Sequence, residues 1–216
     1  MAPLELYFHP LSNYCQKALV ALYENETPFD ARLVDLSNES ERAALLKLWP
    51  IGKFPVLRDH ARDQTVPEAS IIIEYLAQHY PGKTELVPAD PDLARQTRLR
   101  DRFYDLYVTE QVGKIVGDKL RPEGQRDAYG VEQAKARMRG AYDMIEQDVA
   151  GKTWAMGDSF TMADCAAAPA LFYANMLIPL GDSHKQAASY LGRLMERPSF
   201  ARAVREAQPY LALMPK

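Results

Sequence analysis

Apolar and polar residues alternate at the start of the chain, with Leu4, Leu6 and Phe8 on one side and Glu5 and Tyr7 on the other. A period of two predicts a strand with one face on a core. Pro10 interrupts the pattern, and Ala18, Leu19 and Leu22 then recur at helical spacing, which predicts a tight loop followed by a helix. Phe29–Leu36 reads as a second strand, weakened by Asp30 and Arg32. The polar cluster Ser37–Glu41 opens a helix through Ala43, Leu45, Leu46 and Leu48 that must end before Pro50. Lys53–Leu57 and Gln64–Pro67 read as a hairpin around the polar turn Arg58–Asp63. Ala69–Tyr80 reads as a helix carrying Ile72, Ile73 and Leu76 on one side.

The order β-α-β-α-β-β-α, a parallel unit followed by an antiparallel hairpin, is the thioredoxin-like arrangement. After it, Pro81–Pro91 holds three prolines and a glycine and is a linker candidate. Everything beyond has helical periodicity. Over Asp92–Lys119, Leu99, Phe103 and Leu106 form one stripe with Tyr104, Tyr107 and Val108 beside it, Phe103 being assigned to core. Val131, Ala134, Met138, Ala141 and Ile145 form another apolar stripe. Phe160-Thr-Met-Ala-Asp-Cys165 predicts a helix start in which Thr161 and Asp164 form a capping box and Phe160 staples against Cys165. Two shorter helices follow, around Gln186–Arg197 and Ser199–Gln208. The expected fold is therefore α/β plus all-α: a thioredoxin-like domain over 1–80, a linker over 81–91 and an all-helical domain over 92–216.

Charged residues at 25% and hydrophobic ones at 47% place the chain among ordinary globular proteins rather than disordered ones. A net charge of −3 gives no support for a nucleic-acid or anionic-membrane partner. Met1-Ala-Pro-Leu-Glu5 lacks the basic and apolar blocks of a secretory signal. The apolar run Cys165–Leu180 is broken by Pro169, Asn175 and Pro179, so it reads as a buried helix and not as a membrane span. Two sparse cysteines, Cys15 and Cys165, suit a reducing cytoplasm. The four histidines show no metal-ligand spacing, so no metal is expected.

The loop Ser12-Asn-Tyr-Cys15 arrives at a helix N-terminus, where unpaired backbone N–H groups and the positive end of the helix dipole favour an anion. Ser12 with Cys15 three residues on is a Cys-x-x-Cys redox motif with its first cysteine replaced. Serine is also a common helix cap, which leaves a purely structural role for Ser12 open. Cys15, without a partner thiol, reads as a small core residue.

Four local motifs now stand in order: Pro10-Leu-Ser12, Lys53-Phe-Pro55, Pro67-Glu-Ala-Ser-Ile-Ile-Ile-Glu-Tyr-Leu76 and Asp158-Ser-Phe-Thr-Met-Ala-Asp164. Together with the domain order they resemble the cytosolic glutathione transferases, and most nearly the bacterial serine-type members (theta/delta/zeta-like). The resemblance implies a detoxifying enzyme with glutathione as co-substrate and no metal, in which Ser12 stabilises the glutathione thiolate. It further implies a cis bond at Phe54-Pro55 facing the peptide's cysteinyl unit and Lys53 near its glycyl carboxylate. Glu68 is implied to pair with its α-amino group. Ala69 stands where the family commonly has a Ser or Thr hydroxyl for the γ-glutamyl carboxylate, and Ser70 is the nearest substitute. Trp49-Pro50 likewise departs from the usual Asn-Pro. The implied electrophile pocket comprises Leu11, Asn13, Tyr14, Tyr104, Tyr107, Val108 and Ile115. The implied partners are glutathione, a small hydrophobic electrophile and a second copy of the chain, with no nucleic acid and no membrane. The same thiolate would also serve a glutathione-dependent isomerase, dehalogenase or peroxidase. A non-catalytic binding protein on this fold is a further alternative, and a thiol-disulfide oxidoreductase would need a reactive Cys15.

Overall fold

Burial along the first strand, β1 (Leu4–Phe8), alternates as its pattern predicts, with Leu4, Leu6 and Phe8 inside. The computed structural model describes residues 2–213. β1 pairs in parallel with β2 (Asp30–Leu33) and antiparallel with β3 (Val56–Asp59), which pairs antiparallel with β4 (Gln64–Pro67), giving the sheet order β2-β1-β3-β4. Leu6 sits opposite Ala31 on one side and Leu57 on the other. Helices α1 (Asn13–Glu24), α2 (Glu39–Leu48) and α3 (Ala69–His79) complete a thioredoxin-like domain. Its core joins β1 to Cys15, Ala18, Leu19 and Leu22 of α1 and to Ile72 and Leu76 of α3.

Two elements are shorter than their patterns predict. β2 is an edge strand of four residues in which Leu33 is exposed, as is Leu36 beyond its end. β3 starts at Val56 because Pro55 has no N–H to give the ladder. In α2, capped by Asn38, only Leu45 is buried and Leu46 faces solvent.

Residues 81–90 carry no helix or strand, but Leu86 is buried and its carbonyl accepts from Met162 N at 2.8 Å. The rest is helical: α4 (Pro91–Phe103), a π-helical turn (Tyr104–Thr109), α5 (Glu110–Lys119), α6 (Ala128–Asp148), α7 (Met162–Leu177), α8 (Lys185–Glu196) and α9 (Pro198–Ala207). A 3₁₀ segment, Gln208–Leu213, follows α9. Phe103 is in the core as expected, whereas Leu99 of the same sequence stripe is exposed. The capping box at α7 forms: Asp164 accepts from Thr161 N at 2.8 Å, and also from Ala155 N and the Tyr190 hydroxyl. Among the described residues, no helix is long and apolar enough to cross a membrane.

α1 joins the two domains. One face packs on β1 and α3 and the other on α7 and α9. That second face buries Val20 and Ala21 in the helical core and also carries polar groups that are paired. Glu24 accepts from Arg197 Nε at 3.1 Å, Ser199 Oγ at 2.8 Å and Thr84 Oγ1 at 3.1 Å. Burial alone would raise the Glu24 carboxyl, but Arg197 and Ser199 hold it below the ordinary carboxylate range. Deeper in the joint, Lys17 is 1% exposed and lies 2.7 Å from both Asp101 Oδ1 and Asp105 Oδ2.

Candidate active site

Ser12 stops β-type backbone and starts α1. Its N–H donates to His9 O at 3.0 Å, and its Oγ accepts from Cys15 N at 3.3 Å. A hydroxyl has one proton and two lone pairs. Capping uses a lone pair only, so the Ser12 proton is left for an acceptor, and the neighbouring Cys15 sulfur is the protein group that competes for it. Cys15 is fully buried, and burial pushes its thiol up to about 12, so it stays protonated at neutral pH and is a core residue.

Two cavities flank this loop and share Tyr14. The first, of about 220 Å³, is polar. Lys53, Phe54, Pro55, Glu68 and Ala69 line it from the thioredoxin-like domain, with Trp49 beside them. The Phe54–Pro55 bond is cis. Glu68 caps α3 at φ 71° and ψ 122°, a conformation that an L-residue rarely adopts and that costs of order 1–3 kcal/mol. Arg102, Asp105, Leu106 and Glu110 close the cavity from the helical domain. Cations and carboxylates thus face one another across a small space, which suits a ligand carrying charges of both signs.

Ser70 is placed differently from its expected role beside Ala69. Its hydroxyl donates to Asp101 Oδ2 at 2.6 Å and accepts from Lys17 Nζ at 2.8 Å, so it belongs to the buried joint and not to the cavity wall. Asp105 spans both, pairing with Lys17 from behind while lining the cavity in front. Burial raises the Asp105 carboxyl, Lys17 pulls it back, and Asp101 adds to the rise.

The second cavity, of about 350 Å³, is mostly apolar. Leu11, Ser12, Asn13 and Tyr14 form one wall, Thr109, Val112, Gly113, Val116 and Leu120 the opposite one, and Tyr173 and Leu213 contribute as well. A side chain at Gly113 would meet open space, so this glycine keeps room in the cavity.

The expected lining residues Tyr104, Tyr107, Val108 and Ile115 are elsewhere. Tyr104, Val108 and Ile115 pack in the helical core, and Tyr107 faces solvent. For Val108 and Ile115 the π-helical turn is the cause. Glu110 N bonds to Asp105 O, five residues back, so one extra residue enters the helix. Each residue advances the helix by about 100°, and one insertion rotates everything downstream by that amount. Val108 is therefore replaced on the cavity face by Thr109 and Ile115 by Val116, each one position on. The apolar stripe Val112, Val116 and Leu120 was the available sequence signal for this wall. Arg102, Asp105 and Glu110 carried no such signal.

Among the described residues, no group of three His, Cys, Asp or Glu side chains is placed to hold a metal ion. The sequence matches the family description "Glutathione S-transferase, N-terminal domain" over residues 6–84 and "Glutathione S-transferase, C-terminal domain" over 128–207. It is 30% identical to glutathione S-transferase 3 of Zea mays, covering 79% of each chain. It is 26% identical to a stringent starvation protein A homolog of Histophilus somni, over 95% of this chain and 92% of the relative. A glutathione S-transferase from Methylobacillus flagellatus KT, solved with glutathione bound, superposes with a TM-score of 0.85 at 25% identity, covering 93% and 98% of the two chains. With two matched family domains on a thioredoxin-like plus all-helical frame, this chain belongs to the glutathione S-transferase family.

Proposed function

We propose that the chain is a glutathione transferase that binds glutathione in the polar cavity and joins its sulfur to a hydrophobic electrophile in the apolar one. The observation that carries this is the Ser12 hydroxyl at a helix N-terminus, in the wall of the apolar cavity where it adjoins the polar one through Tyr14. A free thiol with a pKa near 8.5 is only about 3% thiolate at pH 7. Lowering that pKa by about 2 requires about 2.7 kcal/mol of preferential stabilisation of the anion. A hydrogen bond to a charged acceptor contributes about 1.5–3 kcal/mol, and the helix dipole adds about 0.3–1 kcal/mol.

In this proposal Lys53 and Arg102 attract the carboxylates of glutathione, while Glu68, Asp105 and Glu110 face its single ammonium. The binding of glutathione by the Methylobacillus relative supports the assignment. Ultraviolet titration of glutathione bound to the native protein is the test, since thiolate absorbs where thiol does not. A thiol pKa about 2 below the free value is expected; binding without any lowering would refute Ser12 as thiolate stabiliser. The stringent starvation protein A relatives, together with Ala69, support a second reading, a binding protein on the same fold. Glutathione binding with no transfer to any of a panel of halide, epoxide and enone electrophiles would favour it.

Pairing of two copies is also proposed. Ile71 on α3 and Leu93 and Leu99 on α4 are all about half exposed or more, and a bidentate Arg98–Glu74 pair at 2.8 and 2.9 Å ties the two helices together. Such a patch of large aliphatic side chains suits burial against a second copy. Leu99→Glu is expected to convert a dimer to a monomer in light-scattering chromatography; an unchanged mass would exclude this face. Two unpaired buried cysteines suit a cytoplasmic detoxifying role.

A further inference from the structure

Four residues that line the apolar cavity carry hydroxyls, Ser12, Tyr14, Thr109 and Tyr173, and the Tyr173 hydroxyl is the one fixed by a buried side chain. Gln16 is fully buried on α1, and its side-chain nitrogen lies 2.8 Å from Pro10 O and 2.9 Å from Tyr173 Oη. Pro10 O can only accept. The nitrogen and not the oxygen of the amide must therefore face it, which settles the orientation of Gln16. Its two protons go to Pro10 O and to Tyr173 Oη. Tyr173 is thus the acceptor in its bond with Gln16, and no acceptor among the described residues takes its own proton. The residue is 2% exposed and lines the same cavity as Ser12. Buried hydroxyl protons in folded proteins are almost always paired, so this one is set for a ligand.

We infer that Tyr173 is a catalytic hydrogen-bond donor in the apolar cavity, and that the preferred electrophiles carry an oxygen conjugated to the attacked carbon, as α,β-unsaturated carbonyl compounds do. The inference rests on the conjugation proposed above. Burial raises the Tyr173 phenol to about 12 even though Gln16 pulls the other way, so at neutral pH it keeps its proton and donates. Glutathione first releases its thiol proton to solvent. The sulfur lone pair then forms the C–S bond to the β-carbon, and the C=C pair shifts to leave an enolate. Tyr173 holds the enolate oxygen by a hydrogen bond, and solvent returns one proton to the α-carbon. Gln16 acts as a positioning residue that keeps the phenol proton turned away from itself.

The test compares native protein with Tyr173→Phe on an aryl enone and on benzyl chloride, which offers no acceptor oxygen. Removing one donor to a developing oxyanion lowers turnover by about 100-fold or more in well-ordered sites. We expect kcat/KM for the enone to fall at least about tenfold further than for benzyl chloride. Equal losses on both electrophiles would overturn the assignment. A second readout is independent of turnover: the infrared carbonyl stretch of a bound saturated aryl ketone. It should lie lower in native protein than in Tyr173→Phe, and coincident bands would overturn the inference. If native protein transfers glutathione to neither electrophile, conjugation fails as the activity, while the infrared comparison still decides the role of Tyr173.

Discussion

Ser12→Ala is expected to raise the thiol pKa of bound glutathione by about 2 and to lower kcat/KM at pH 7 by about 25-fold, as the thiolate fraction falls. The hydroxyl has two separable tasks. Its lone pair accepts from Cys15 N at 3.3 Å, and its proton is left for the sulfur. Loss of the cap costs about 1 kcal/mol of stability, which leaves glutathione's ionisation untouched. Loss of the donor leaves the fold intact and changes the ionisation. The variant therefore reads both roles at once, one by urea unfolding and the other by ultraviolet titration. Ser12→Thr keeps both the lone pair and the proton and should restore most of the lowered pKa. A variant that is less stable yet binds glutathione with an unchanged thiol pKa would make Ser12 a cap and nothing more. The thiol of Cys15 offers no competing nucleophile, because burial keeps it protonated. Alkylating reagents should consequently leave the native activity in place.

What could be read from the chain was whatever is decided within a few residues. The alternation of Leu4, Leu6 and Phe8 and the Thr161–Asp164 capping box are local, and both appear in the structure. The polar cavity was legible where a contiguous motif carries it, as at Lys53-Phe-Pro55 and at Glu68-Ala69. Its other half was not. Nothing within reach of α1 distinguishes Lys17 from a solvated lysine, since the groups that bury it, Asp101 and Asp105, lie more than 80 residues away. Ser70 went astray for the same reason: those long-range partners claim its hydroxyl before a ligand can. The electrophile wall failed through register. Apolar spacing assumes 3.6 residues per turn throughout, and the π-helical turn at Tyr104–Thr109 moves every later position by one. Phe103, just ahead of the turn, was placed correctly, and Val108 and Ile115, within and beyond it, were not. The exposed Leu99 of the same stripe lies ahead of the turn, and its misplacement has another cause.

Lys17→Met should be the most damaging single change outside the cavities, destabilising the protein by about 3–5 kcal/mol. Lys17 is the one cation among Asp101, Asp105 and the Ser70 hydroxyl, all within 2.8 Å of its nitrogen. Methionine matches the length of the aliphatic stem, so packing is largely kept and the loss is electrostatic. Two carboxylates would then share a buried site with only Arg102, beside Asp105, to offset them, which costs more than the net gain the intact cluster contributes. With an unfolding slope of about 2–3 kcal/mol per molar urea, the midpoint should fall by about 1–2 M. The pH dependence gives the sharper check. Asp105 is already raised by burial and by Asp101, and Lys17 opposes that rise. Without Lys17 its folded pKa moves further above the unfolded value, so the folded state binds more protons than the unfolded one. Stability must then fall as pH rises through that interval and recover as pH is lowered through the carboxylate range. Lys17→Met should accordingly be least stable relative to native protein at neutral pH and regain part of the difference under mild acid. Adding Asp105→Asn should restore a substantial share at neutral pH by removing one of the two unpaired charges. If the deficit were the same at every pH, lost packing rather than charge would be the cause, and the cluster would not be the electrostatic joint between the two domains.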